Sequence, residues 1–196
     1  MMSNVEQLKI VVVGPVGSGK TTISNFLADA TEISSEHRPT KGVRILEFET
    51  QSINVRNKFV KAEIELWDCS GDHRFETCWP AVRNKSRGVI FVHNGKSQDY
   101  VRELEQLYDY FVNQTGLGPT NCVIFHHDQD NNSVEIPKKM SPKLSRISQV
   151  SCNTEEGANK LKVDFHSFLG TLISNLQEHT DQEEMILMRD NILFAA

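Results

Sequence analysis

Hydrophobic and polar positions along the chain follow two periods, and the switch from one to the other recurs. Leu8-Lys9-Ile10-Val11-Val12-Val13 is a nearly continuous, β-branched apolar run ending at a glycine, which predicts a buried parallel strand. After a glycine-rich turn, Ile23, Phe26, Leu27 and Ala30 recur at helical spacing. A polar loop with Pro39 and Gly42 follows as far as Val43. Two strand-like segments, Val43–Thr50 and Phe59–Trp67, flank a polar Gln51–Asn57 turn. Gly88–His93 is apolar throughout, and Val101, Leu104, Leu107, Tyr108 and Phe111 then mark an amphipathic helix. Cys122–Phe125 reads as another buried strand. Residues 128–143 are polar, carry Pro137 and Pro142, and read as loop. Ile147–Val150 is a last short strand, followed by a helix with Leu161, Phe165, Phe168, Leu169, Leu172, Ile173 and Leu176 on one face. Strands alternating with helices predict an α/β fold: a mostly parallel central sheet flanked by helices.

At 196 residues and 22.2 kDa the chain is sized for one domain, at most one plus a tail. Hydrophobic residues make up 38% and charged residues 24%, a globular mixture. The net charge of −5, with no basic block, argues against nucleic acid or an anionic membrane as an electrostatic partner. No apolar run approaches the roughly 18 residues of a membrane-spanning helix. Met1-Met2-Ser3-Asn4-Val5-Glu6 lacks the features of a signal peptide and the glycine of a myristoylation site. The final Phe194-Ala195-Ala196 offers no cysteine to prenylate, so the expectation is a chain without a direct membrane anchor. Cys69, Cys78, Cys122 and Cys152 are scattered, as free thiols of a cytosolic protein would be.

Chemistry enters at Gly14-Pro15-Val16-Gly17-Ser18-Gly19-Lys20-Thr21. The stretch fits G-x-x-x-x-G-K-[ST] and lies between a predicted strand and a predicted helix, the context that motif demands. Glycines let the backbone turn its N–H groups inward around phosphates, and the helix N-terminus adds a positive dipole. Lys20 then reaches the β- and γ-phosphates and the Thr21 hydroxyl ligates Mg²⁺, with Thr22 next in the helix.

Trp67-Asp68-Cys69-Ser70-Gly71-Asp72-His73-Arg74-Phe75 ends a strand with D-x-x-G and resembles the Rab and Ras-like small GTPases, whose stretch reads W-D-T-A-G-Q-E-R-F. The resemblance implies GTP or GDP and Mg²⁺ as cofactors. It gives Asp68 a place on Mg²⁺ through water, brings the Gly71 N–H to the γ-phosphate, and makes Thr40 the switch threonine that ligates Mg²⁺ and senses that phosphate. The family's base-reading N-K-x-D falls on His127-Asp128-Gln129-Asp130, where Asp130 or Asp128 is the carboxylate for guanine. The S-A-K loop falls on Ser151-Cys152-Asn153, with backbone N–H groups for the guanine oxygen. His126 and His127, adjacent on a strand, point to opposite faces and make a poor metal pair.

The similarity narrows at Pro39-Thr40-Lys41-Gly42-Val43-Arg44-Ile45-Leu46-Glu47-Phe48-Glu49, Glu65–Cys69, Phe75–Ala81 and His126-His127. These stretches resemble the Rab-like GTPase of the intraflagellar transport machinery, the intraflagellar transport protein 22 family. That likeness implies a Ras/Rab-like G domain over residues 1–178, with the helix after the fifth predicted strand reduced to a loop. It implies cytoplasmic and ciliary or flagellar localisation, and docking of the coiled-coil 74/81 pair through the switch face. Phe48, Trp67, Phe75 and Trp79 are the candidate anchors there, and Phe48 and Trp67 serve equally as core residues. Residues 179–196 are a tail without a counterpart, readable as a short docking helix or as a frayed end.

Ras-type enzymes orient the attacking water with a glutamine after D-x-x-G; here Asp72 stands at that position, and no residue is assigned as catalytic. Val16, at the third loop position, adds bulk to the same volume. Together they predict a nucleotide holder with slow or absent hydrolysis. The alternatives are a catalytically active GTPase switch for ciliary trafficking, a P-loop small-molecule kinase, for which no arginine-rich lid is evident, and a structural subunit with an empty site.

Overall fold

The computed structural model describes residues 5–30, 39–96, 99–128, 140–154 and 157–194, and side chains from residue 6 to 188 within those spans. Seven strands form one sheet: β1 (Val5–Val13), β2 (Val43–Glu49), β3 (Ile53–Val55), β4 (Lys58–Cys69), β5 (Gly88–His93), β6 (Cys122–His127) and β7 (Ser148–Cys152). The order is β2-β4-β1-β5-β6-β7, with β3 also paired to β4. β2 and β3 run antiparallel to β4, and every other pairing is parallel.

The apolar run of β1 serves both faces of this sheet. Leu8, Ile10 and Val12 enter one core with Ile23 and Leu27 of α1 (Lys20–Leu27) and Leu161, Phe165, Leu169 and Leu172 of α4 (Ala158–Phe194). Val11 and Val13 enter the other, with Val82 of α2 (Trp79–Arg83) and Leu104 and Tyr108 of α3 (Tyr100–Tyr108). Burial on both sides is what a parallel strand between helical layers requires, and it explains why β1 lacks polar alternation. Each fully buried Ile, Leu or Phe contributes about 1.5–3 kcal/mol against exposure.

Three differences from the sequence expectation have physical reasons. The polar Gln51–Asn57 stretch contains β3, whose Ile53 and Val55 are buried while Asn54 is exposed. A tight turn with positive φ at Arg56 (49°) and Asn57 (64°) returns the chain into β4. The predicted helix around Phe111 ends in one wider turn, Asp109–Asn113. The last helix does not stop near Leu176: it continues to Phe194, 37 residues in all and roughly 55 Å long at 1.5 Å per residue. Arg56 in the β3–β4 turn pairs with Glu178 and lies 3.9 Å from Asp181, tying the helix to the sheet just before it leaves the domain. Of the β6–β7 connection, residues 129–139 lie outside the described residues, and the described part carries a single 3-10 turn, Leu144–Arg146.

Candidate nucleotide site

The site gathers at the C-terminal ends of β1, β4, β5 and β6, where an open α/β sheet presents its crevice. β1 ends in a loop that the glycines make possible. Gly14 has φ +153°, and a Cβ on it would sit 2.0 Å from the Val92 carbonyl oxygen of β5. Gly17 and Gly19 also have positive φ, at 73° and 91°. The loop closes around Lys20, whose Nζ donates to the carbonyls of Gly14 at 2.9 Å and Pro15 at 2.7 Å. Burial pushes the Lys20 ammonium down to about 8, opposed chiefly by the charge of Asp68. Ser18 is buried, Thr22 half-buried, and Val16 is 69% exposed at the cleft mouth.

A second constellation stands beside the lysine. Thr21 Oγ1 donates to Asp68 Oδ2 at 2.8 Å and lies 2.9 Å from Thr40 Oγ1. Asp68 is fully buried and its Oδ1 has no partner among the described residues. Burial pushes its carboxyl up, while the Thr21 hydroxyl, Arg44 and Lys20 pull it down. Adjacent ligands of a six-coordinate Mg²⁺ held at about 2.0–2.1 Å stand roughly 2.9 Å apart, so the two threonine oxygens have the right spacing. The unpartnered buried oxygen of Asp68 supplies an acceptor for a metal-bound water. The residues fit the metal.

Gly71 lies against the loop: a Cβ there would be 2.7 Å from Val16 N and 2.8 Å from Gly14 O, both backbone atoms that cannot swing away. Lys20, Thr21, Thr40, Gly71 and Asp72 line a cleft of about 770 Å³, within the size range of small-molecule sites. Asp72 itself is engaged elsewhere. Its carboxylate accepts from the Arg74 backbone N–H at 3.0 Å and from the guanidinium at 2.6 Å, capping the 3-10 turn His73–Cys78. Those bonds hold Asp72 down at about 2, ionised and committed to Arg74.

On the base side, Asp130 lies outside the described residues. Ser151 and Cys152 end β7, and Asn153 follows. The Asp128 N–H donates to Cys152 O at 2.9 Å, and Asn153 Nδ2 donates to Asp128 O at 3.1 Å. Two residues that sequence reasoning did not assign to the site brace the phosphate loop from this direction. His127, 3% exposed and kept neutral by burial, donates from Nδ1 to Ser18 O at 3.2 Å. Asn94, just after β5, donates from Nδ2 to Gly17 O at 3.0 Å. The sequence signal for Asn94 is its place directly after an apolar strand, and for His127 its alignment with the first position of the base-reading motif. His126 turns the other way, to Gln149 at 3.1 Å, and no metal-holding cluster occurs among the described residues.

The four candidate anchors are not gathered into one patch. Phe48 packs 6.5 Å from Phe165 of α4, and the Trp79 ring lies tilted against Tyr110 and Phe111 at 5.1 and 5.3 Å. Trp67 is half-buried under Lys9, whose Nζ is 3.5 Å from the indole ring centre. Phe75 lines the cleft.

Sheet order, phosphate loop and the Thr21–Thr40–Asp68 corner define a P-loop domain of the Ras-like small-GTPase class. In agreement, the family model of the Ras of Complex (Roc) domain of DAPkinase matches residues 9–128. The chain belongs to the intraflagellar transport protein 22 family: it is 39% identical over 181 residues to the Rattus norvegicus intraflagellar transport protein 22 homolog, covering 92% of this chain and 97% of the relative. A GTP-bound crystal structure of T. brucei IFT22 superposes with a TM-score of 0.66 at 25% identity, over 85% of this chain and 95% of that one. A GTP-bound T. brucei IFT22/74/81 structure shares the fold, with a TM-score of 0.72 at 24% identity over 89% and 99%. No helix among the described residues is long and apolar enough to cross a membrane.

Proposed function

We propose that this chain is a GTP- or GDP-binding subunit of the intraflagellar transport machinery that holds its nucleotide with little or no hydrolysis. The observation that carries the reading is the convergence of Thr40 and Asp68 on the Thr21 hydroxyl, at 2.9 and 2.8 Å, beside a buried Lys20. Gly14, Val16, Gly17, Ser18, Gly19, Lys20, Thr21 and Thr22 surround the phosphates. Thr40 and Gly71 close over the terminal one, and Thr21, Thr40 and Asp68 hold Mg²⁺. Mg²⁺ so held would neutralise charge on the β- and γ-phosphates. Asp130, with the Ser151-Cys152-Asn153 backbone, reads guanine. The G domain spans residues 1–178, with 179–196 as its C-terminal tail, of which residues 179–194 extend the last helix.

Partner and location follow from the family. T. brucei IFT22 has been crystallised GTP-bound and as IFT22/74/81, which supports docking of a 74/81-type coiled coil by this chain, and the relatives' intraflagellar transport naming supports a place in the cytoplasm and the cilium or flagellum. Of the four candidate anchors, Phe75 lines the nucleotide cleft beside Thr40 and Gly71 and is the one offered to that partner, while Phe48, Trp67 and Trp79 pack against other elements. Asp72, bound to Arg74, leaves no amide to orient water, which supports the slow turnover. Nucleotide extracted from purified protein and resolved by ion-exchange chromatography should be GTP or GDP. Recovery of ATP, or failure to load any guanine nucleotide, overturns the proposal.

A further inference from the structure

Arg44 belongs to β2, in direct cross-strand register with Asp68 of β4, four residues beyond Thr40. Its guanidinium reaches inward to bond Asn25 Oδ1 of α1, and its Nη2 stands 3.6 Å from Asp68 Oδ2. Among the described residues, Arg44 Nε is buried without a partner, as is Asp68 Oδ1. Asp68 therefore meets a fixed cation from the sheet itself, while Lys20 is already committed to two loop carbonyls. An arginine stays protonated at every accessible pH, so this corner always carries that charge.

We infer that Arg44 is the resident counter-cation of the magnesium corner and sets how strongly nucleotide binding depends on Mg²⁺. This rests on the proposed nucleotide site. With the guanidinium 3.6 Å away, the Asp68 carboxylate is held in line with Thr21 before metal arrives. The same positive charge repels an incoming dication, so Mg²⁺ adds less affinity than it would at an unaccompanied carboxylate. Arg44 touches neither phosphate nor metal; it is a positioning residue that acts through Asp68.

The test is the release rate of mant-GDP across a series of buffered Mg²⁺ concentrations, for the unaltered chain, Arg44→Gln and Arg44→Lys. Arg44→Gln should lower the Mg²⁺ midpoint by about tenfold, and Arg44→Lys, which keeps the charge, should leave it nearly in place. An unmoved or raised midpoint in Arg44→Gln, or an equal fall in Arg44→Lys, overturns the inference, because a packing role would not follow charge. A second measurement needs neither nucleotide nor metal: urea midpoints of the metal-free protein in a cycle of Arg44→Gln and Asp68→Asn. The loss caused by Arg44→Gln should largely disappear in the Asp68→Asn background; strictly additive losses overturn the inference. If the unaltered chain fails to bind mant-GDP at any Mg²⁺ concentration, the proposed function falls, and this cycle alone decides whether Arg44 neutralises Asp68.

Discussion

At the phosphate end of the cleft, the lysine and threonine contacts come from one loop and two short segments: Lys20 on the carbonyls of Gly14 and Pro15, and Thr21 on Asp68 and Thr40. At the base end the contacts run between strand ends far apart in sequence: Asp128 to Cys152 and Asn153, His127 to Ser18, Asn94 to Gly17. The first end uses charge and backbone turned to a fixed purpose, and substitution there removes a function that nothing nearby replaces. The second is a lattice of neutral hydrogen bonds, in which one member can change type while the lattice persists. His127, at the asparagine position of the family motif, is such a change.

The largest effect is expected at the phosphate end. Lys20→Ala removes a charge-assisted contact from a closed loop and should weaken mant-GTP and mant-GDP alike by about a thousandfold or more. Because Lys20 is buried at a desolvation cost, the same variant should melt no lower than the unaltered chain. Retained nucleotide binding would show that backbone N–H groups alone make the grip.

The base end should respond by selectivity. Asp130→Ala should cut the preference for GTP over ATP by about ten- to a hundredfold in competition titrations. His127→Ala, which frees Ser18 without touching the base reader, should weaken both nucleotides by about tenfold and leave their ratio unchanged. A changed ratio in His127→Ala would mean that the two ends act as one unit. An unchanged ratio in Asp130→Ala would pass the reading role to Asp128 or to backbone groups.

How much of the fold and site is legible in the residues depends on the distance over which each contact acts. The Gly14–Thr21 loop is a local motif with fixed spacing, so its strand, turn and helix follow from the amino-acid pattern alone. The β3 strand reads as turn because three residues give too short an alternation to stand out, although Ile53 and Val55 carry it. The reach of α4 beyond Leu176 is not readable from periodicity, since Glu183, Glu184, Met185, Ile186, Leu187 and Met188 offer good helix formers but no single apolar face. The His127 brace spans 109 residues of sequence, and its motif position gives no sign of the partner it reaches. Asp72 is the opposite case: an Asp two residues before an arginine at the start of a turn is a local capping signal, and its motif position masks it.

Turnover sharpens the contrast within the phosphate end itself, where grip and water orientation are separable. Intrinsic hydrolysis by the unaltered chain should not exceed roughly 10⁻⁴ s⁻¹. Asp72→Gln should raise it only a few-fold while Val16 occupies the cleft mouth, and about tenfold in the Val16→Gly background, a non-additive pair. Radiolabelled phosphate released by the four variants decides it: fast hydrolysis by the unaltered chain removes the holder reading, and full rescue by Asp72→Gln alone clears Val16.

The smallest effect separates the two ends by pH. Behind the base end, His93 stacks on Tyr100 at 4.3 Å and meets His126 edge-on at 4.4 Å, and burial pushes it from 6.5 down to about 3. His126 and His127 are pushed down by burial as well. A histidine with a depressed folded pKa binds its proton mainly in the unfolded chain. Its contribution is therefore intact above about pH 6.5 and is lost as pH falls toward the folded value. Between pH 7 and 5.5 that loss is about 1 kcal/mol for each fully depressed histidine. His93→Phe keeps a ring against Tyr100 and cannot titrate, so its stability should decline less steeply over this interval, by about 1 kcal/mol. Urea midpoints at half-unit pH steps measure the slope, independent of the baseline cost of the substitution. Parallel slopes for the two proteins would place the acid sensitivity in His126 and His127, on the strand that braces the phosphate loop.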